Sequence, residues 1–238
     1  MFQIKICGIT RVDDAVAAWK AGADAIGLNF YDRSPRCISA VQARSIGDAL
    51  PPAAVQRVGV FVNSSLDEIA AICDQANLDV IQLHGDELPS MIAELSQRLA
   101  RPIIRAFRCR DDSLDEVDRY LEACEQAGRL PDAVLVDAYS PGEYGGTGKC
   151  VDWESLIRER PRLRGLPLIL AGGLRPENVA EAIRAVQPSA VDTASGVELS
   201  AGIKDHAAVQ RFVDAARAGW TTPDASGVER AVGQSNVR

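Results

Sequence analysis

Eight short apolar, β-branched runs recur along the chain, at 3–6, 25–30, 57–62, 80–83, 103–107, 133–136, 168–170 and 190–193. Six are almost continuously apolar, the pattern of strands buried on both faces. Between them lie stretches with helical hydrophobic spacing, at 12–21, 40–50, 66–76, 88–99, 114–127, 176–186 and 207–218, and a weaker one within 152–160. Ser39 precedes the second of these. Ser65 precedes the third, with Glu68 three positions on, as in a capping box. Pro176 suits the first turn of the seventh. A strand–helix unit repeated eight times predicts α/β architecture, a single TIM (β/α)8 barrel of parallel strands. An open doubly wound sheet is the structural alternative, and the even strand spacing favours closure.

The barrel is expected to occupy residues 1–219. From Trp220 to Arg238 the chain turns rich in Thr, Ser, Gly and Asp, which predicts a disordered or loosely docked tail. The net charge of −7 argues against a sequence-independent nucleic-acid binder. No apolar run is long enough for a bilayer, and the N-terminus enters a strand pattern at once, so neither membrane attachment nor an export signal is expected. The six cysteines show no zinc-type spacing and read as reduced thiols of a cytoplasmic protein.

In a barrel of this kind, functional groups stand at the C-terminal strand ends. The residues there are Cys7, Asn29 with Arg36 in its loop, Asn63, His84, Asp137, Gly172-Gly173, and Asp192 through Gly196. The opposite ends carry no comparable set. Gly172, Gly173, Ser195 and Gly196 follow the seventh and eighth strands, where barrels often hold phosphate on backbone N–H groups. The plainer reading is two tight turns. Cys7 reads alone as a small buried apolar residue, Asp137 as a turn cap, Arg36 as a solvated loop residue and His84 as a structural hydrogen bonder. Lys5 points into the barrel, to pair with an aspartate or to add positive field to the site. The glycine-rich segment 139–149 reads as a lid or as an ordinary loop.

The motifs Lys5-Ile6-Cys7-Gly8-Ile9-Thr10, Ser34-Pro35-Arg36, Val58-Gly59-Val60-Phe61-Val62-Asn63 and Gln82-Leu83-His84-Gly85 resemble those of phosphoribosylanthranilate isomerase. So do Asp137, Gly145-Gly146-Thr147-Gly148, Gly172 to Asn178 and Ser195-Gly196-Val197-Glu198. The resemblance runs from about residue 3 to about residue 217 and leaves out the tail. It implies a cofactor-free Amadori rearrangement of N-(5-phosphoribosyl)anthranilate in tryptophan biosynthesis. It also implies Cys7 as base, Asp137 as acid, Arg36 on the substrate's carboxylate, and His84 and Asp192 as further substrate contacts. The partner implied is a small-molecule substrate, on a monomer or homodimer. Two alternatives stand beside this reading, another phosphate-binding barrel enzyme and a non-catalytic phosphate-binding barrel. A histidine-pathway sugar isomerase would place an aspartate where this chain has Cys7.

Overall fold

The computed structural model describes residues 1–108, 114–137 and 153–221. All eight apolar runs are parallel strands: β1 Ile4–Ile6, β2 Ala25–Asn29, β3 Gln56–Phe61, β4 Val80–Leu83, β5 Ile103–Phe107, β6 Ala133–Asp137, β7 Leu168–Ala171 and β8 Ala190–Thr193. They pair in chain order, and β8 returns to β1 through Ile4↔Val191, Lys5↔Asp192 and Ile6↔Thr193, which closes the barrel. The helices are α1 Val12–Ala21, α2 Ala40–Asp48, α3 Leu66–Gln75, α4 Pro89–Arg98, α5 Asp115–Gln126, α6 Trp153–Glu159, α7 Val179–Val186 and α8 His206–Trp220. A small antiparallel hairpin, β9 Glu198–Ser200 and β10 Ile203–Lys204, stands between β8 and α8. This is a TIM (β/α)8 barrel.

Side-chain alternation divides the apolar residues into two cores. The interior holds mostly small or β-branched residues, among them Ala25, Val58, Ile104, Ala106, Ala133 and Ala190, with Phe2 closing the floor. The outward strand residues, such as Ile26, Phe61, Ile103 and Val134, pack with the helices in a larger core. Each fully buried Leu, Ile or Val there contributes about 1.5–3 kcal/mol.

The helix starts follow their sequence signals with one exception. Ser39 accepts from Gln42 N–H at 3.2 Å. Ser65 and Glu68 form the reciprocal capping box. Pro176 is not in the first turn of α7, which begins at Val179. The chain at Pro176 is taken up by a turn, in which Arg175 N–H donates to Asn178 Oδ1 and Asn178 Nδ2 donates to Gly173 O. Trp220 is the last residue of α8, with its Nε1 on Pro188 O. The rest of the segment read as a tail, from 222 onward, lies outside the described residues, as does the glycine-rich segment 139–149.

The N-terminal strand ends carry a repeated aspartate with a structural use. Asp24, Asp79 and Asp132 each precede an even-numbered strand, and each carboxylate accepts a backbone N–H at the start of the odd strand before it: Ile4, Arg57 and Ile103, all at 2.8 Å. All three carboxylates are committed to the backbone, and Asp79 and Asp132 also pair with Arg57 and Arg129. No helix among the described residues is long and apolar enough to cross a membrane.

Candidate active site

The C-terminal strand ends surround a cavity of about 390 Å³. Cys7, Arg36, His84, Asp137, Gly172, Gly173, Asp192, Ser195 and Gly196 all line it. Residues from opposite ends of the chain, Cys7 and Gly196, meet there because barrel closure puts β1 beside β8. Gln82, Arg108 and Tyr31 line the same cavity.

Cys7 leaves the end of β1, and its N–H donates to Thr193 O of β8 at 2.7 Å. Its sulfur rests on β2 at Gly27, where a Cβ would stand 2.5 Å from Sγ. Burial pushes the thiol above its ordinary range. Lys5 and Lys204 pull it back, and Asp192 adds to the rise. Lys5 is fully buried inside the barrel and pairs with Asp192 at 2.8 Å. Burial works against its charge, but Asp192 and Cys7 more than offset this, and the lysine is held cationic. Both sequence readings of Lys5 therefore hold at once, since the pair sits beside the thiol.

Asp137 ends β6. Burial raises its carboxyl above the usual range, Asp192 adds to the rise, and Arg108 opposes it. His84 follows β4. Its Nδ1 lies 3.2 Å from Gln82 Nε2, an amide that can only donate, so the proton belongs on Nε2. Nε2 is buried and has no hydrogen-bond partner among the described residues. Burial, with Arg108, Lys5 and Arg105, pushes the imidazole down to about 3. It is neutral wherever the protein is folded near neutral pH.

Arg36 reaches the cavity from the β2 loop with its guanidinium already forked onto a carboxylate. Nε donates to Glu198 Oε1 at 2.9 Å and Nη2 to Oε2 at 2.6 Å. Glu198 and its other partner, Lys204, adjoin the site, and their places are not strand ends. Glu198 stood in a quoted motif, but no strand-end rule marks a short hairpin after β8. Arg108, which follows β5, was likewise missed, although it is a strand-end residue of the kind sought.

Gly172 and Gly173 take successive left-handed conformations, φ 86° and 60°, open to glycine at little cost. Facing them, Ser195 to Val197 form a single 3-10 turn. The two loops are bolted together. Thr193 Oγ1 donates to Leu174 O at 2.7 Å, and Gly196 lies so close that a Cβ would stand 2.0 Å from that same oxygen. A wider hollow of about 710 Å³ lies near the other barrel end, at Arg57, Asp79 and Asn77, but it gathers no comparable set of unpaired groups. Among the described residues no cluster of His, Cys, Asp or Glu is arranged to hold a metal ion.

The model of the family "N-(5'phosphoribosyl)anthranilate (PRA) isomerase" matches residues 4–215. The N-(5'-phosphoribosyl)anthranilate isomerase of Acidithiobacillus ferrooxidans is 50% identical over 215 residues, 90% of this chain and 96% of that one. The Pseudomonas fluorescens enzyme is 50% identical over 213 residues, 90% of this chain and 97% of its own. The crystal structure of phosphoribosyl anthranilate isomerase from Thermotoga maritima superposes with a TM-score of 0.77 at 39% identity, over 91% of this chain and 99% of that one. A phosphoribosyl anthranilate isomerase solved in complex with reduced 1-(o-carboxyphenylamino)-1-deoxyribulose 5-phosphate gives 0.76 at 36% identity, with the same coverage. With this barrel, this strand-end cavity and these relatives along nine-tenths of its length, the chain belongs to the N-(5'-phosphoribosyl)anthranilate isomerase family and is an isomerase of tryptophan biosynthesis.

Proposed function

We propose that Cys7 and Asp137 are the base and acid of the Amadori rearrangement, acting on a substrate held by Arg36 at one end and by the β7 and β8 loops at the other. The observation that carries the reading is that thiol, carboxyl, guanidinium and paired glycine turns open onto one cavity. A phosphate docks on the backbone of Gly172, Gly173, Ser195 and Gly196. The anthranilate carboxylate takes the free edge of the Arg36 guanidinium. His84 donates from Nε2 to a substrate oxygen, and Asp192, held by Lys5, accepts from a sugar hydroxyl. The chemistry needs no cofactor.

Asp137 gives its proton to the furanose ring oxygen as the C1–O bond breaks, which leaves a Schiff base. The Cys7 thiolate removes the C2 proton, and the electron pair moves into the enolamine. Tautomerisation of the enolamine yields the ketone. The substrate has gained one proton and lost one, and exchange with solvent returns the thiol and carboxylate to their starting forms. The raised carboxyl of Asp137 suits a group that must arrive protonated. Cys7 must work as the minority thiolate, which the buried Lys5 supports.

The Thermotoga maritima isomerase is described in one crystal structure as dimeric, with monomers generated from it. This protein is accordingly a monomer or homodimer, and its reduced cysteines and small-molecule chemistry suit the cytoplasm. We place the end of the barrel after α8, whose last residue Trp220 lies one position beyond the expected boundary at 219, and infer that the chain after Thr221 is dispensable, which full activity in a protein truncated there would support.

The reading is tested by following the loss of anthranilate fluorescence with Cys7→Ala, Cys7→Ser and Asp137→Asn. Each should lower turnover about 10³-fold or more with unchanged circular dichroism. Near-normal turnover in a variant would remove that residue from its role.

A further inference from the structure

The hairpin formed by β9 and β10 is amphipathic in the wrong direction. Leu199 and Ile203 face solvent, 72% and 39% exposed, while the side chains of Glu198 and Lys204 are 4% and 0% exposed. Burying both charges costs several kcal/mol each, and a buried pair seldom repays this as net stability. Something other than core formation accounts for the arrangement.

We propose that Glu198 and Lys204 are positioning residues, a buried unit that aims Arg36 and seats Cys7 for the reaction while staying outside the cavity. Neither residue lines the cavity. The proposal rests on the roles given to Arg36 and Cys7 above. The lysine has three N–H donors, and all three are taken: Cys7 O at 2.5 Å, Ala194 O at 3.1 Å and Glu198 Oε1 at 2.8 Å. One ammonium therefore ties the loop after β1 to the loop after β8 through their backbone carbonyls. The residue whose carbonyl it grips is the one that carries the thiol. Glu198 holds the third loop, after β2, by its two-point grip on Arg36.

The grip also selects which part of the arginine meets the ligand. A guanidinium can fork a carboxylate at the edge made by Nε with one terminal nitrogen, or at the edge made by both terminal nitrogens. Glu198 takes the first, so the second remains for a planar carboxylate. A free arginine side chain has large rotamer entropy, and here much of it is lost before the ligand arrives. The hairpin is itself anchored to the start of the barrel. Thr10 Oγ1 donates to Gly202 O and Lys204 N–H to Asp14 Oδ2, and within the hairpin Gly202 N–H donates to Glu198 Oε1. The charged groups facing the thiol are Lys5 and Asp192 within the barrel, Lys204 from the hairpin and Arg36 from the β2 loop.

Two variants test the unit separately. Glu198→Gln keeps the shape and removes the charge, so Arg36 loses its two-point hold. KM should rise about tenfold while kcat changes less than about threefold, the signature of lost ground-state binding. Lys204→Met removes the cation beside Cys7. Alkylation of Cys7, read by peptide mapping so that Cys37 does not interfere, should need a higher pH than in the parent, and kcat should fall. If Lys204→Met does not fold, the KM and kcat of Glu198→Gln still decide. Unchanged KM in Glu198→Gln, or a folded Lys204→Met with an unmoved alkylation profile, overturns the proposal. Should the alkylation profile move while the pH dependence of activity stays, the positioning unit stands and the base role of Cys7 falls.

Discussion

The sulfur of Cys7 occupies the space that a side chain on Gly27 would fill: a Cβ there would stand 2.5 Å from Sγ and 3.0 Å from the Cys7 Cα. The neighbouring strand is hollowed where the thiol rests. Gly27→Ala should therefore act on catalysis more than on the fold. Strand residues tolerate alanine, so the cost in stability should stay near 1–2 kcal/mol. The thiol must shift by about an ångström to reach ordinary contact distance, and kcat should drop at least about tenfold. Steady-state kinetics beside a thermal melt would check this. Full activity with a normal melt would mean that the seat of the thiol is uncritical.

Cys7 and Asp137 are both pushed upward by burial, and the roles proposed for them need the first ionised and the second not. This is a reversed order of protonation, populated by a constant small fraction between the two macroscopic pKa values. Below the Asp137 pKa the thiolate fraction falls faster than the acid gains, and above the Cys7 pKa the acid is lost. The kcat/KM profile should be a flat-topped bell, with its acid limb above the ordinary carboxylate range and its alkaline limb above the ordinary thiol range. Asp137→Asn fixes a neutral group at the acid position. Its small residual activity should then rise with pH through neutrality, by about tenfold per unit, because it tracks thiolate alone. A residual profile that stays flat would show that the plateau does not arise from this pair.

His84 is neutral across that range, its pKa held near 3, and Gln82 fixes its tautomer. In the proposed function it acts as a donor and not as a titrating catalyst. His84→Ala should lower kcat/KM by about tenfold, the worth of one buried hydrogen bond, and leave both limbs of the pH profile where they were. Gln82→Leu should reproduce part of this loss by freeing the tautomer. Loss of a limb in either variant would make His84 an acid or base in its own right.

How far the sequence carries depends on the range of the interaction in question. Strands and helices follow local hydrophobic period, and all eight strand runs are found within one or two residues of their expected places. The cavity-lining set was legible for a similar reason, because the fold places every C-terminal strand end on one face, so 7, 84, 137 and 192 need only be strand ends to meet. What was not legible is the use of charge. Lys204 and Glu198 lie on a hairpin too short to show a period, and nothing local says that Arg36 has an internal carboxylate partner 162 positions away. Pro176 misled because a proline suits a turn before a helix as well as the first turn inside it. The aspartates at the barrel floor look alike in sequence to Asp137 and Asp192. Only the strand end on which each stands separates a backbone cap from a site residue.

That separation is itself testable on Asp24. Its Oδ2 accepts from Gln3 N–H at 3.1 Å and Ile4 N–H at 2.8 Å, at the entry to β1 and on the face opposite the cavity. Removing the carboxylate strands two backbone donors where the first strand joins the barrel, a loss of about 1–3 kcal/mol. In a domain of this size that corresponds to a Tm lower by roughly 3–10 °C. The C-terminal end of β1, where Cys7 stands, is held by other bonds, from Cys7 N–H to Thr193 O and from Lys204 to Cys7 O. Asp24→Ala should therefore melt earlier and still turn over within about twofold of the parent below its Tm, since the floor of such a barrel governs stability and its rim governs chemistry. A melt unchanged by Asp24→Ala would deny the cap its role. A kcat lost along with stability would show that the floor and the rim of the barrel are coupled through β1.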